Sequence, residues 1–178
     1  MKDSKVISKE TLFKSKFFKV DQIVIDRDGK RFTKDFVERR DVVFILPLTE
    51  QNEIYLVSQY RDAMQKVLLE TIAGQMDEDE DPLDAAKREL REEAGIHASQ
   101  WKLLATWHLS ANMVGRGYIF LATGLTQGES SPDDDEDLEV VKMPFREAVG
   151  KVLSGEIAVM SSAAGILLLD RMKKEGSI

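Results

Sequence analysis

Three carboxylates stand together in the middle of the chain: Glu89, Glu92 and Glu93. Their spacing is i, i+3 and i+4. On a helix that advances about 100° per residue, it brings all three onto one face. Carboxylates so close repel one another unless something positive sits among them. Arg88 and Arg91 flank the cluster and compensate it in part. A hard divalent cation compensates better, because it takes several oxygen ligands at once. A cation held there would also invert the local charge and let an acidic protein approach a phosphate. Taken alone, an E-x-x-E-E spacing is more often a solvated acidic helix face.

The elements that must position these residues are legible around them. Asp81 is placed to cap a helix, Pro82 sits at its first position, and Gly95 stands where a left-handed C-terminal cap belongs. The spacing therefore predicts a helix over Pro82–Ala94. Leu83, Leu90 and Ala94, with Ala86 at the margin, form a core-facing stripe on another face. Before the helix, alternating polar and apolar residues predict strands at 16–26 and 31–39, joined by an Asp28-Gly29 turn. Apolar runs predict further strands at 41–48, 53–59 and 67–72, the last ending in Ala73-Gly74. After it come expected strands at 100–107, 117–122 and 138–143, an acidic loop over 128–137, and helices at 145–153 and 157–174. Strands mixed with helices in this order indicate an α/β or α+β chain with a mixed sheet.

With those surroundings the solvated-face reading gives way. Gly74, Glu80, Arg88, Glu89, Leu90, Glu92, Glu93, Gly95 and Ile96 match every fixed position of the pattern G-x5-E-x7-R-E-U-x-E-E-x-G-U, where U is a bulky aliphatic. This is the signature of the Nudix hydrolases, which the chain resembles over roughly residues 16–174. The resemblance implies a mixed sheet sandwiched between helices, with the signature forming a loop-helix-loop. It implies that Glu89, Glu92 and Glu93, with the carbonyl of Ala73, hold Mg²⁺ or Mn²⁺. It also implies that Gly74, Glu80 and Arg88 are structural and orient the metal-bearing face. The metals would polarise a phosphoryl oxygen and activate a water that attacks phosphorus.

Features outside the signature resemble the branch that hydrolyses ADP-ribose and nucleoside diphosphate sugars. Gln59-Tyr60-Arg61 ends a strand as a Gln-aromatic-Arg element does there. Glu70 with Ala73-Gly74 matches that branch's E-x-P-A-G, with Ile72 in the place of proline. By this comparison Arg61 contacts a substrate phosphate, and Glu70 touches the substrate or supports the metal cluster. The acidic run 133–137 aligns with a loop that delivers a catalytic carboxylate; Glu136 is the matching position, and Asp134 or Asp135 could do the same work. The strands ahead of residue 41 match a small N-terminal antiparallel sheet that exchanges between subunits of a dimer and helps bind the base. The expected organisation is thus an N-terminal β extension over 1–40 and a Nudix domain over 41–178. One departure stands out: where the ADP-ribose branch has a proline, this chain has Ala111 or Asn112. That gives weight to related substrates of the GDP-mannose type. Arg116, just beyond, could bind a phosphate or nothing.

Composition sets the limits. The chain has 178 residues and a net charge of −7, so bulk nucleic acid is not an expected partner. It has no cysteine, which removes disulfides and thiolate metal sites and fits a reducing cytoplasm. The N-terminus shows no apolar signal segment, and the apolar stretch Ile166 to Leu169 is too short to span a bilayer. His97 and His108 are too few and too far from the carboxylate face in sequence to suggest a metal site. The expected partners are a small nucleotide sugar and a second copy of the chain. Two other functions compete: a nucleoside triphosphate pyrophosphohydrolase, and a non-catalytic module that senses nucleotide sugars. The first leaves Gln59-Tyr60-Arg61 and the N-terminal strands unexplained. The second is disfavoured by the complete set of signature glutamates.

Overall fold

The computed structural model describes residues 4–128 and 138–178. It divides into two compact units, one formed by Met1–Asp41 with Trp107–Gly117, the other by Val42–Thr106 with Tyr118–Ile178.

The first unit is built on β1 (Lys5–Lys14), β2 (Phe18–Arg27) and β3 (Lys30–Arg39), paired antiparallel in that order. The β2–β3 connection is the expected Asp-Gly turn. Asp28 and Gly29 have φ of 55° and 77°, a left-handed pair that suits the twist of a tight hairpin. Two long strands, β8 (Ile96–Ser110) and β9 (Met113–Gln127), join at residues 111–112 and contribute to both units. In the first unit the start of β9 runs parallel to β3, pairing Val37 with Met113 and Glu38 with Val114. Strand β1 lies outside the expected elements. All ten of its residues are exposed, so it has no buried face to print an alternation on the sequence. Side-chain bonds to Asp21 help hold it: Thr11 Oγ1 donates to Oδ1 at 2.6 Å, and Lys9 Nζ lies 2.8 Å from Oδ2.

The second unit contains β4 (Val42–Pro47), paired antiparallel with β7 (Ile72–Gln75) and flanked on its other side by β9, which in turn pairs with β8. A second antiparallel sheet has the order β10 (Leu138–Pro144), β5 (Glu53–Arg61), β6 (Lys66–Glu70). Alternation along the strands sorts side chains into two cores. Val43, Ile45, Phe120 and Ala122 pack with Ala85, Ala86, Leu90 and Ala94 of α1 (Pro82–Ala94). Leu46, Leu48, Ile119 and Leu121 pack with Phe145 and Ala148 of α2 (Phe145–Ser154) and Ile166 and Leu169 of α3 (Met160–Lys174). Helices therefore cover both faces of a mixed sheet, as the sequence predicts. Fully burying one Leu or Ile side chain contributes ~1.5–3 kcal/mol, so these two cores dominate the stability of the unit.

The expected 67–72 strand is two strands, broken at Thr71. There the Thr71 N–H donates to Ser162 Oγ at 3.0 Å, and the two hydroxyls lie 3.1 Å apart, tying the break to α3. Helix α3 starts at Met160 rather than 157, because Ile157 is a buried core residue whose N–H bonds to the Lys151 carbonyl. Among the described residues no helix is long and apolar enough to cross a membrane.

Candidate active site

Helix α1 forms where its caps predict. Asp81 is extended and its side chain accepts from the Leu83 N–H at 2.8 Å; Gly95 is left-handed at φ 62°, ψ 28° and donates to the Arg91 and Leu90 carbonyls. Leu90, Ala85 and Ala86 fix the helix's rotation by burying one stripe, which leaves Glu89 and Glu93 against β7, with Glu92 beside Arg88 and Arg91. Glu89 and Glu93 are only 8% and 4% exposed. Carboxylates are rarely so buried unless paired, which marks this face as built for charge.

Backbone meets carboxylate on both sides of the signature glycine. The Ala73 N–H points at Glu93 Oε2, 3.4 Å away. Gly74 lies so close to the Glu89 carboxyl that a Cβ placed there would fall within 1.9 Å of it. A side chain there would displace the Glu89 carboxyl, so glycine is what lets Glu89 keep this position.

Arg88 is the hub. Its Nε and Nη2 donate to the two oxygens of Glu80 at 3.0 and 2.9 Å, in a bidentate fork. Its Nη1 donates to Glu89 Oε1 at 2.7 Å and to Glu92 Oε2 at 3.2 Å, and Nη2 also reaches the Gln75 carbonyl at 3.0 Å. Glu80 accepts a further bond from the Asp77 N–H at 2.9 Å. The guanidinium holds the Glu80 carboxyl below the usual carboxylate range, and Glu80 in turn raises the Arg88 pKa. Arg91 adds a 3.2 Å contact to Glu92.

The sequence-derived residues thus fall into four places. Ala73, Gly74, Glu80, Arg88, Glu89, Glu92 and Glu93 form one network. Arg61 and Glu70 form a separate pair at the ends of β5 and β6, with Nε to Oε1 at 2.7 Å and Nη2 to Oε2 at 3.2 Å. Arg116 belongs to the first unit; its side chain is exposed and its N–H donates to Asp41 Oδ1 at 2.7 Å. Glu136, with Asp134 and Asp135, lies outside the described residues. Among the described residues no three acidic or histidine side chains converge into a ready cation cage, and Arg88 draws Glu89 and Glu92 to itself instead. The Gln75 carbonyl and the Asp77 N–H escape sequence reading altogether, because a main-chain group carries no signal in residue type.

Comparison with known proteins agrees with this geometry. The family model for the NUDIX domain matches residues 38–161. The chain is 34% identical to an ADP-ribose pyrophosphatase of Mycobacterium tuberculosis, covering 93% of this chain and 82% of that protein. It is 29% identical to an ADP-ribose pyrophosphatase of Bacillus subtilis, covering 94% and 92%. A methanol dehydrogenase activator of Bacillus methanolicus is 28% identical over 83% of this chain and 82% of its own length. A solved structure of an ADP compounds hydrolase superposes with a TM-score of 0.86 over the whole chain and 98% of its own, at 21% identity, which speaks to the fold. The caps of α1, the buried glutamates against Gly74 and the extent of these matches lead to one conclusion: the chain belongs to the Nudix family, as a hydrolase of pyrophosphate bonds in its ADP-ribose pyrophosphatase branch.

Proposed function

We propose that this hydrolase cleaves the diphosphate linkage of a nucleoside diphosphate sugar of the ADP-ribose or GDP-mannose type, using Mg²⁺ or Mn²⁺ held by Glu89, Glu92, Glu93 and the carbonyl of Ala73. The observation that carries the reading is the burial of Glu89 and Glu93 on the helix face where Arg88 pairs with Glu80, Glu89 and Glu92, and Arg91 with Glu92. Buried charge is costly to stability unless compensated, and a bound cation adds compensation at such a face. The donor set is all hard oxygen, which fits a divalent cation of this kind. When bound, the cation supplies Lewis-acid polarisation of a phosphoryl oxygen and a more acidic water.

The chain's own residues account for the rest. Arg61 binds a substrate phosphate, which an acidic site otherwise repels. Glu136 accepts the proton of the attacking water; the water oxygen bonds to phosphorus as the bridging P–O bond breaks. A nucleoside monophosphate and a sugar phosphate leave. Gly74, Glu80 and Arg88 orient the carboxylate face. Residues 1–40 act as an extension of the catalytic portion 41–178. Their ribbon exposes Val6, Ile7, Leu12 and Phe13, and isolated hairpins are marginal in water, so a second copy covers it in a twofold dimer.

The names of the relatives support the substrate class. A GDP-mannose pyrophosphatase of Cronobacter sakazakii, 26% identical over 94% of both chains, stands beside the ADP-ribose pyrophosphatases. Ala111-Asn112 sits where the ADP-ribose branch has proline, restoring a backbone donor and loosening the turn. Selectivity between sugars should therefore be low. With Mg²⁺ or Mn²⁺, ADP-ribose and at least one other nucleotide sugar should be hydrolysed within about tenfold in kcat/KM, a gap of ~1.4 kcal/mol. Product identification across a panel of nucleotide sugars checks this. A strong preference for a nucleoside triphosphate, with pyrophosphate released, overturns it.

A further inference from the structure

Strands β6 and β7 belong to different sheets, and Thr71 is the single residue between them. On one side of it Glu70 pairs with Val57 of β5; on the other, Ile72 pairs with Ile45 and Ala73 with Phe44 of β4. Where a chain leaves one ladder for another, a buried backbone N–H at the crossing needs a partner from elsewhere. Ser162, in the first turn of α3, supplies it: its Oγ accepts from the Thr71 N–H at 3.0 Å and lies 3.1 Å from Thr71 Oγ1. Both residues are buried, so bulk water does not compete for these bonds. Helix α3 is itself held on β4, since Ile166 and Leu169 share a core with Leu46, and a Cβ at Gly165 would lie in ordinary contact with Leu46 at 3.7 Å. Strand β4 is also the one that β7 pairs with. Ser162 thus holds the start of β7 to a reference that the core has already fixed.

We infer that Ser162 is a positioning residue for the cation site: through Thr71 it fixes the register at which β7 meets β4, and so where Ala73 and Gly74 stand against Glu93 and Glu89. The inference rests on the reading above that these glutamates and the Ala73 carbonyl hold the cation. Register matters because side chains alternate along a strand, and a slip of one residue turns each of them to the opposite face. Gly74 would then leave its place beside Glu89, where a Cβ runs into the carboxyl, and the Ala73 N–H would leave Glu93 Oε2. Strand β7 has only four residues, Ile72–Gln75, so its own ladder offers few bonds against such a slip. A hydrogen bond at its head therefore counts for more than one within a long strand. Alanine at 162 would fill the core without a polar atom to satisfy, so the hydroxyl serves the crossing rather than the packing.

Calorimetric titration of the full chain with Mn²⁺ alone, without substrate, tests the assignment independently of turnover. Ser162→Ala should weaken Mn²⁺ binding about tenfold, the usual loss when a group that orients metal ligands is removed. Amide exchange at Ala73 and Gly74 should become faster in the same variant. Ile166→Val and Leu169→Ala, a small and a large truncation on the same helix, bracket its loss of stability. Both should keep Mn²⁺ affinity within about twofold of the unmodified chain, as changes away from the crossing do. Thr71→Ser, which retains the N–H and the hydroxyl, should bind Mn²⁺ as the unmodified chain does. Unchanged Mn²⁺ affinity in Ser162→Ala, or an equal loss in the core variant nearest to it in melting temperature, overturns the inference. Should Ser162→Ala fail to fold, Ser162→Cys carries the same comparison, because sulfur is only a weak acceptor; unchanged affinity there overturns the inference too. An unmodified chain that binds no Mn²⁺ overturns the cation reading instead. The register is then decided by amide exchange, and equal rates at Ala73 and Gly74 with and without the Ser162 hydroxyl overturn it.

Discussion

Two acidic clusters, one in each unit, each bury a carboxylate but meet its charge differently. In the first unit Asp21 is fully buried on β2. Thr11 donates to it, Lys9 and Lys19 lie 2.8 and 3.8 Å from Oδ2, and both lysines also meet Glu38. Two carboxylates face two ammonium groups, and the account closes locally. On α1 Arg88 pairs with Glu80, Glu89 and Glu92, Arg91 also meets Glu92, and the Ala73 N–H points at Glu93. There one guanidinium serves three carboxylates on a helix whose rotation the core fixes. The contrast separates two uses of buried acid: one cluster fastens strands, and the other gathers carboxylates around a single guanidinium on the face where we propose that the cation binds.

The largest break in that contrast comes from Glu93→Gln. It keeps the side chain's size and removes one charge from the α1 cluster. Turnover should fall at least ~10²-fold with the fold intact, as a lost electrostatic contribution of a few kcal/mol to the barrier implies. Turnover at limiting and saturating Mg²⁺, with a circular dichroism spectrum, checks it; normal activity at limiting Mg²⁺ would sink the assignment. Asp21→Asn, the matching change in the balanced cluster, should instead lower the melting temperature.

Next in size is Glu136→Gln. Loss of a general base is worth ~10²–10⁴-fold, and here kcat should fall while KM stays nearly constant. Leu138, the first described residue after the acidic run, pairs with Gln59 of the Gln-Tyr-Arg element. A larger loss from Asp134→Asn or Asp135→Asn would move the role within the run.

The smallest effect is on acid stability, and it tests whether both clusters share one electrostatic logic. Asp21 is held below its ordinary pKa first by Lys9 and then by Thr11, and Glu80 by Arg88. A depressed carboxyl stabilises the folded state fully above its unfolded pKa, near 4, and the contribution is lost as pH falls through the native value. The melting temperature should therefore decline below about pH 4, and Asp21→Asn or Glu80→Gln should each flatten that decline. Parallel curves for variant and unmodified protein would remove the cause named here.

How much of this was legible depends on whether the physics leaves a mark in residue order. Helix α1 was legible to its ends because Asp81, Pro82 and Gly95 each perform a local task. The carboxylate face was legible because its spacing matches the helical repeat. Strand β1 was not, since strands held by main-chain pairing and one buried aspartate need no apolar alternation. The break at Thr71 was hidden because it depends on Ser162, far away in sequence. Arg88 was legible as a signature residue, but its service to Glu80, Glu89, Glu92 and a backbone carbonyl at once emerges only in three dimensions.

The pairing of Val37 with Met113 and Glu38 with Val114 bears on how the chain reaches this state. Strands β1 to β3 are successive hairpins, each closing over a few residues, so they can form early and locally. The parallel contact to β9 must wait for a strand that begins at residue 113, and closing so long a loop carries an entropic cost that slows folding. During synthesis the first forty residues therefore spend time as an incomplete ribbon with apolar side chains on view. In that interval the pairing of the proposed dimer would compete with completion of the unit, so assembly should depend on the order and speed at which the chain emerges.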